Sequence, residues 1–120
     1  MLKKVLIVED FDDVRDFMKL LIESYGYEVI EAINGIQAVE STRNLHPDLI
    51  LMDLSMPEMD GLTATKLIRQ PGHSFSDTPI IAITASGNTF YKKAIEAGCN
   101  DMLLKPLDFD ELVPILKQYL

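Results

Sequence analysis

Nothing in the chain would tie it to a membrane, an oxidising compartment or a nucleic acid. No apolar stretch approaches the roughly 20 residues of a bilayer-spanning helix. Met1-Leu2-Lys3-Lys4 leads straight into a four-residue apolar run, too short for the core of a signal peptide. The single Cys99 permits no internal disulfide, which agrees with a reducing compartment. Positive charge is scarce: 11 Lys and Arg against 19 Asp and Glu leave a net charge of −8, which argues against direct binding to nucleic-acid phosphates. Such a surface suits a partner that is basic or of mixed charge. Internal repeats, linkers and low-complexity tracts are lacking. The expectation is one cytoplasmic domain over residues 1–120 with neither membrane nor nucleic acid as partner. Its 48% hydrophobic and 25% charged residues are those of an ordinary globular protein with a real core.

What is present is a regular alternation of two hydrophobic rhythms. Residues 3–8 read as a buried strand, after which Val14, Phe17, Met18, Leu21 and Ile22 recur at helical spacing, with Gly26 as the stop. Residues 28–32 form a second strand, Asn34-Gly35 a turn, and 36–45 a helix ended by Pro47. The third strand, 48–53, does not alternate, as expected when helices cover both faces of a parallel sheet. A helix over 61–69 presents Ala64, Leu67 and Ile68, and 70–78 is a polar loop. Residues 79–84, 88–97 and 101–104 then read as strand, helix and strand. The last helix runs to Tyr119. Its start is placed near Asp110, with Asp108 as the alternative, because Pro114 is tolerated best in a first turn. Five strand-helix pairs with right-handed crossovers predict an α/β three-layer sandwich.

Four of the apolar strands end in polar residues: Glu9-Asp10, Asp53, Thr84 and Lys105. Ligands of open α/β sheets bind outside the carboxyl ends of the strands, so these groups would share one cleft. Three carboxylates there repel, by about 4 kcal/mol per close pair at 4 Å and an effective dielectric near 20. A divalent cation relieves that repulsion, and carboxylate, carbonyl and water ligands suit Mg²⁺. Taken alone, Thr84 is an ordinary strand-end threonine and Lys105 a snorkelling lysine. His46 and His73 read as a helix-end and a loop histidine.

Val8-Glu9-Asp10, Met52-Asp53-Leu54-Ser55-Met56-Pro57-Glu58-Met59-Asp60-Gly61, Thr84-Ala85 and Lys105-Pro106 together resemble the receiver domain of two-component response regulators, the CheY-like family. The resemblance covers the whole chain. It implies a flavodoxin-like, doubly wound five-stranded parallel sheet of order 2-1-3-4-5 with five helices. It also implies Mg²⁺ on Asp10, Asp53 and the Ser55 carbonyl, with Glu9 nearby or through water. Asp53 would be the nucleophile that accepts a phosphoryl group, Lys105 the cationic donor and Thr84 the sensing hydroxyl. Leu54, Ser55 and Ser86 would flank the centre. The implied donor is a phosphohistidine on a sensor histidine kinase or histidine phosphotransfer protein. The implied target docks on the last two helices and the fifth strand.

Two residues depart from the family pattern. Glu9 stands where most relatives have Asp, and Met102 where they usually have Tyr or Phe, so Met102 is expected to transmit the switch less sharply. Rival readings come from other classes. Asp10-Phe11-Asp12-Asp13-Val14 resembles the first motif of haloacid dehalogenase-type phosphatases, with Asp10 as nucleophile and Asp12 as acid/base. The acidic pair expected beyond the lysine in that family is missing. A flavin-binding module is disfavoured because residues 9–13 hold four acids and no glycine, which would repel a flavin phosphate. A receiver-like scaffold that works without phosphorylation is the remaining alternative.

Overall fold

The computed structural model describes all residues except Met1, Pro57, Glu58, His73, Ser74 and Ser86, and gives residues 87–89 as backbone alone. The strands are β1 (Lys4–Val8), β2 (Glu28–Ala32), β3 (Leu49–Asp53), β4 (Ile80–Thr84) and β5 (Asp101–Leu104). They alternate with α1 (Asp12–Ser24), α2 (Gly35–Leu45), α3 (Gly61–Ile68), α4 (Gly87–Ala97) and α5 (Phe109–Tyr119). All pairings are parallel and the order is β2-β1-β3-β4-β5, as the resemblance implied. The strand bounds read from sequence agree to within one residue.

Side chains of successive strand residues point to opposite faces, and each face has its own core. Val5, Ile7, Leu49, Leu51, Ile81 and Ile83 pack with Met18 and Ile22 of α1 and with Leu112 and Leu116 of α5. Leu6, Val8, Ile50, Met52, Ile80 and Ala82 pack with Ala38, Ala64, Ile68 and Ala94 of α2, α3 and α4. The central strands are therefore apolar on both faces, which is why their sequences run without alternation. Fully burying one such Leu or Ile contributes about 1.5–3 kcal/mol.

Local signals end the helices as their chemistry requires. Asn34 caps α2 by accepting from Gln37 N at 2.8 Å, and Asp60 caps α3 by accepting from Thr63 N at 2.8 Å. Gly26 follows α1 with φ +89°, a conformation that costs glycine little. His46 is the C-cap of α2, matching its reading as a helix-end residue. His73 lies outside the described residues.

Val14 and Phe17 share the apolar helical spacing of α1, yet both are exposed while Met18 and Ile22 are buried. Phe17 instead meets Phe109 of α5 with ring centroids 5.1 Å apart, on the rim of an apolar groove between the two helices. The helix α5 begins at Phe109 with Asp108, the alternative start, as its cap in place of Asp110, and the Asp108 side chain accepts from Asp110 N at 2.8 Å. Pro114 is thus the sixth helical residue. It is exposed, and the backbone bond it forgoes is the one its missing N–H would have made one turn back.

Candidate functional site

The carboxyl edge of the sheet gathers the predicted polar groups. Glu9 N donates to Ala32 O at 3.0 Å, carrying the β1–β2 ladder one residue past the strand. Glu9 itself is only 2% exposed, and its Oε2 accepts from Phe11 N at 3.3 Å. Asp53, the last residue of β3, is equally buried, and its Oδ1 accepts from Ser55 N at 3.1 Å. Lys105 Nζ lies 3.2 Å from Glu9 Oε1 and 3.2 Å from Asp53 Oδ2. The backbone fixes that lysine, since Lys105 N donates to Thr84 O at 2.8 Å. Thr84 is buried at the end of β4.

One close approach underlies the geometry. Gly61 opens α3 directly beneath Asp53, and a Cβ there would stand 2.2 Å from Asp53 O and 2.9 Å from Leu54 Cα. Only glycine allows α3 to start so close to the strand that carries the central carboxylate.

Ligand atoms of Glu9, Asp10 and Asp53 lie within 4.8 Å of one another. Asp10 Oδ1 is buried with no hydrogen-bond partner among the described residues, and an acceptor so placed is costly unless something positive meets it. An all-oxygen set with an orphaned carboxylate oxygen fits a hard divalent cation, and Mg²⁺ in particular.

Electrostatics reflect the crowding. Burial, the charge of Asp53 and a hydrogen bond with Asp10 push the Glu9 carboxyl up to about 7, against the opposing pull of Phe11 N–H and Lys105. Burial by itself would lower the Lys105 pKa, but the carboxylates of Asp53 and Glu9 outweigh it and hold the ammonium above its ordinary value.

The remaining expected residues are placed as follows. Ser55 is exposed beside the cleft. Leu54, next to Asp53, has its side chain buried in the core beneath the site. Ser86, Pro57 and Glu58 lie outside the described residues. Met102 is half-buried against the core under α2, α3 and α4. Asp12 does not support the phosphatase reading. Its side chain is 80% exposed and pairs with Arg15 at 2.6 Å as part of α1. Sequence reasoning missed Arg15 itself, whose Nη1 donates to Glu9 O at 3.0 Å. Its spacing from Asp12 announced only a local pair, and no pattern announces a bond to a main-chain carbonyl six residues away.

Comparison with known proteins agrees with this geometry. Residues 5–117 match the family model of the response regulator receiver domain. The CAI-1 autoinducer sensor kinase/phosphatase CqsS of Vibrio cholerae is 36% identical over 112 residues, covering 92% of this chain and 16% of CqsS. The polar-differentiation response regulator DivK of Brucella ovis is 36% identical over 121 residues, covering 100% of this chain and 98% of DivK. Among solved structures, the receiver domain of sensor histidine kinase PA1611 from Pseudomonas aeruginosa PAO1 aligns with a TM-score of 0.89 at 36% identity, over 99% of this chain and 98% of that one. That structure carries a magnesium ion coordinated in the active-site cleft. The acidic triad, the lysine above it and the sheet order thus have one common source: the chain belongs to the receiver-domain family of two-component response regulators.

Proposed function

We propose that residues 1–120 work as one receiver domain that accepts a phosphoryl group on Asp53 from a phosphohistidine and signals through altered protein binding. The observation that carries this reading is the buried Asp53 carboxylate, 3.2 Å from Lys105 Nζ and grouped with Glu9 and Asp10. Asp10, Asp53 and the Ser55 carbonyl would hold Mg²⁺, with Glu9 directly or through water, and the bound cation would offset charge on the phosphoryl oxygens. An Asp53 oxygen forms the bond to phosphorus as the bond to the donor nitrogen breaks, and the imidazole leaves with that electron pair. Lys105 neutralises charge on the transferring group, and the Thr84 hydroxyl bonds it on arrival. In the second step, water attacks phosphorus, the bond to Asp53 breaks, and inorganic phosphate leaves a free carboxylate. Both steps belong to this domain's own residues, so the transfer is self-catalysed.

The donor in this reading is a sensor histidine kinase or a histidine phosphotransfer protein. Support comes from CqsS and PA1611, both sensor kinases. The output surface is α4, β5 and α5, where Tyr91, Ile95 and Leu104 are exposed apolar residues. Thr84 and Met102 would carry the change from cleft to that surface. The cytoplasm is the proposed compartment, in keeping with the absence, among the described residues, of any helix long and apolar enough to cross a membrane.

The test is labelled acyl phosphate with Mg²⁺. Labelling of the wild type that disappears in Asp53→Asn supports the reading. Labelling that survives Asp53→Asn and disappears only in Asp10→Asn contradicts it.

A further inference from the structure

We propose that Arg15 is a positioning residue of the metal site, clamping the peptide between Glu9 and Asp10 so that both carboxylates stay gathered on the cleft. The inference rests on the metal reading given above and concerns a residue outside the ligand set.

Three donors of one guanidinium reach three different elements. Nη1 donates to Glu9 O at 3.0 Å, Nη2 to Asp12 Oδ1 at 2.6 Å and Nε to Glu31 Oε1 at 3.3 Å. The side chain is 12% exposed, well below what a solvated helix arginine shows. Glu31 sits on β2 and is steadied by Lys19 Nζ at 3.5 Å. Arg15 is therefore anchored to its own helix and to β2 while its third branch holds the end of β1.

The carbonyl it holds is the informative one. Glu9 O belongs to the peptide unit that joins Glu9 to Asp10, and that unit is planar. Glu9 N is already fixed by Ala32 O, but β1 ends at Val8, so the ladder does not reach the Glu9 carbonyl. With the preceding peptide held through Glu9 N on Ala32 O and the Glu9–Asp10 peptide held through its carbonyl by Arg15, the backbone is fixed on both sides of the Glu9 Cα. Two of the three clustered carboxylates hang on that backbone.

Charge excludes the simpler view that Arg15 acts by opposing the acids. Asp12 and Glu31 both pair with it, so no net positive charge remains to compete with a cation. What remains is geometry, and a rigid fork of donors is what Arg offers and Lys does not. Groups that orient metal ligands from behind typically change affinity by about 10–100-fold when removed.

The experiment is calorimetric titration of MgCl₂ into wild type, Arg15→Lys, Arg15→Ala and Arg69→Ala, with a thermal melt of each metal-free protein. Arg69 is the control for a purely structural arginine. It bonds Gly98 O at 2.9 Å, Ser76 O at 2.7 Å and Asn100 Oδ1 at 2.8 Å at the opposite edge of the sheet. The proposal expects both Arg15 variants to bind Mg²⁺ about tenfold or more weakly, while Arg69→Ala melts earlier with an unchanged Kd. If Arg15→Ala does not fold, Glu31→Ala removes the remote anchor and is expected to weaken Mg²⁺ in the same direction. A folded Arg15→Lys with a Kd within about twofold of wild type, well short of the outer-shell range, overturns the proposal. A wild type that binds no Mg²⁺ defeats the underlying metal reading instead.

Discussion

The ammonium of Lys105 stands 3.2 Å from Asp53 Oδ2, and at the same distance it bonds Glu9 Oε1. One cation thus holds two buried carboxylates that would otherwise repel, at the place where a phosphoryl group would bring more negative charge. Replacing it with a neutral side chain of similar length, Lys105→Met, leaves that added charge without its cationic protein donor. Phosphorylation of Asp53 by a small acyl phosphate is expected to slow by about 100-fold or more, the usual cost of losing one preorganised donor. Mg²⁺ binding is expected to persist, because the lysine and the metal draw on the same oxygens. Initial rates at saturating Mg²⁺, together with a metal titration, check both halves.

Glu9 gives the site a pH dependence whose sign is fixed. Its carboxyl titrates at about 7 in the metal-free fold and near 4.5 when unfolded, so the folded state favours the proton. The stability it lends is full below about 4.5 and is lost as pH rises through 7. In the proposed metal site Mg²⁺ would favour the ionised carboxylate and so compete with that proton. The rise in melting temperature on adding Mg²⁺ is therefore expected to be larger at pH 8 than at pH 6, and Glu9→Gln is expected to flatten the difference. Melts at the two pH values with and without metal measure it.

Gly61 is the tightest packing point of the site. A Cβ would come 2.2 Å from Asp53 O, and the atom it meets is backbone that cannot swing aside. Gly61→Ala is expected to cost about 1–3 kcal/mol and to weaken Mg²⁺ binding, since β3 must shift where it carries Asp53. Gly26→Ala is the contrast. It too is strained, at φ +89°, but a Cβ there meets nothing within 4 Å, so stability falls while the Mg²⁺ affinity holds. Denaturant melts and metal titration of the two variants separate these effects.

Met102 lies half-buried on β5 against the core under α2, α3 and α4, with a flexible thioether where the family resemblance implies a ring. Met102→Tyr is expected to enlarge the phosphorylation-dependent change in hydrogen exchange over α4, β5 and α5. Exchange measured with and without a beryllofluoride phosphoryl analogue tests this. An equal change in wild type and variant would sink the idea.

Much of this was legible because strand ends and chemistry coincide in the sequence. Apolar runs that stop at Glu9, Asp53, Thr84 and Lys105 locate the cleft, since parallel strands bring their carboxyl ends to one edge. The failures over Val14, Phe17 and Arg15 share a physical cause: they concern contacts between elements. Helical spacing identifies Val14 and Phe17 as apolar but says nothing of the groove against α5 that leaves them exposed. The choice between Asp108 and Asp110 as cap turns on a side-chain bond to Asp110 N that composition does not encode. Arg15 pairs visibly with Asp12 in sequence, while its bond to Glu9 O exists only once α1 has packed on β1.

The central claim is that Asp53 carries the phosphoryl group, and borohydride trapping addresses it most directly. Reduction of an aspartyl phosphate turns that residue into homoserine, which peptide mass spectrometry places by position. After incubation with acyl phosphate and Mg²⁺, homoserine is expected at residue 53, and none without Mg²⁺. Homoserine at residue 10, or none anywhere under conditions where the protein binds Mg²⁺, would contradict the account.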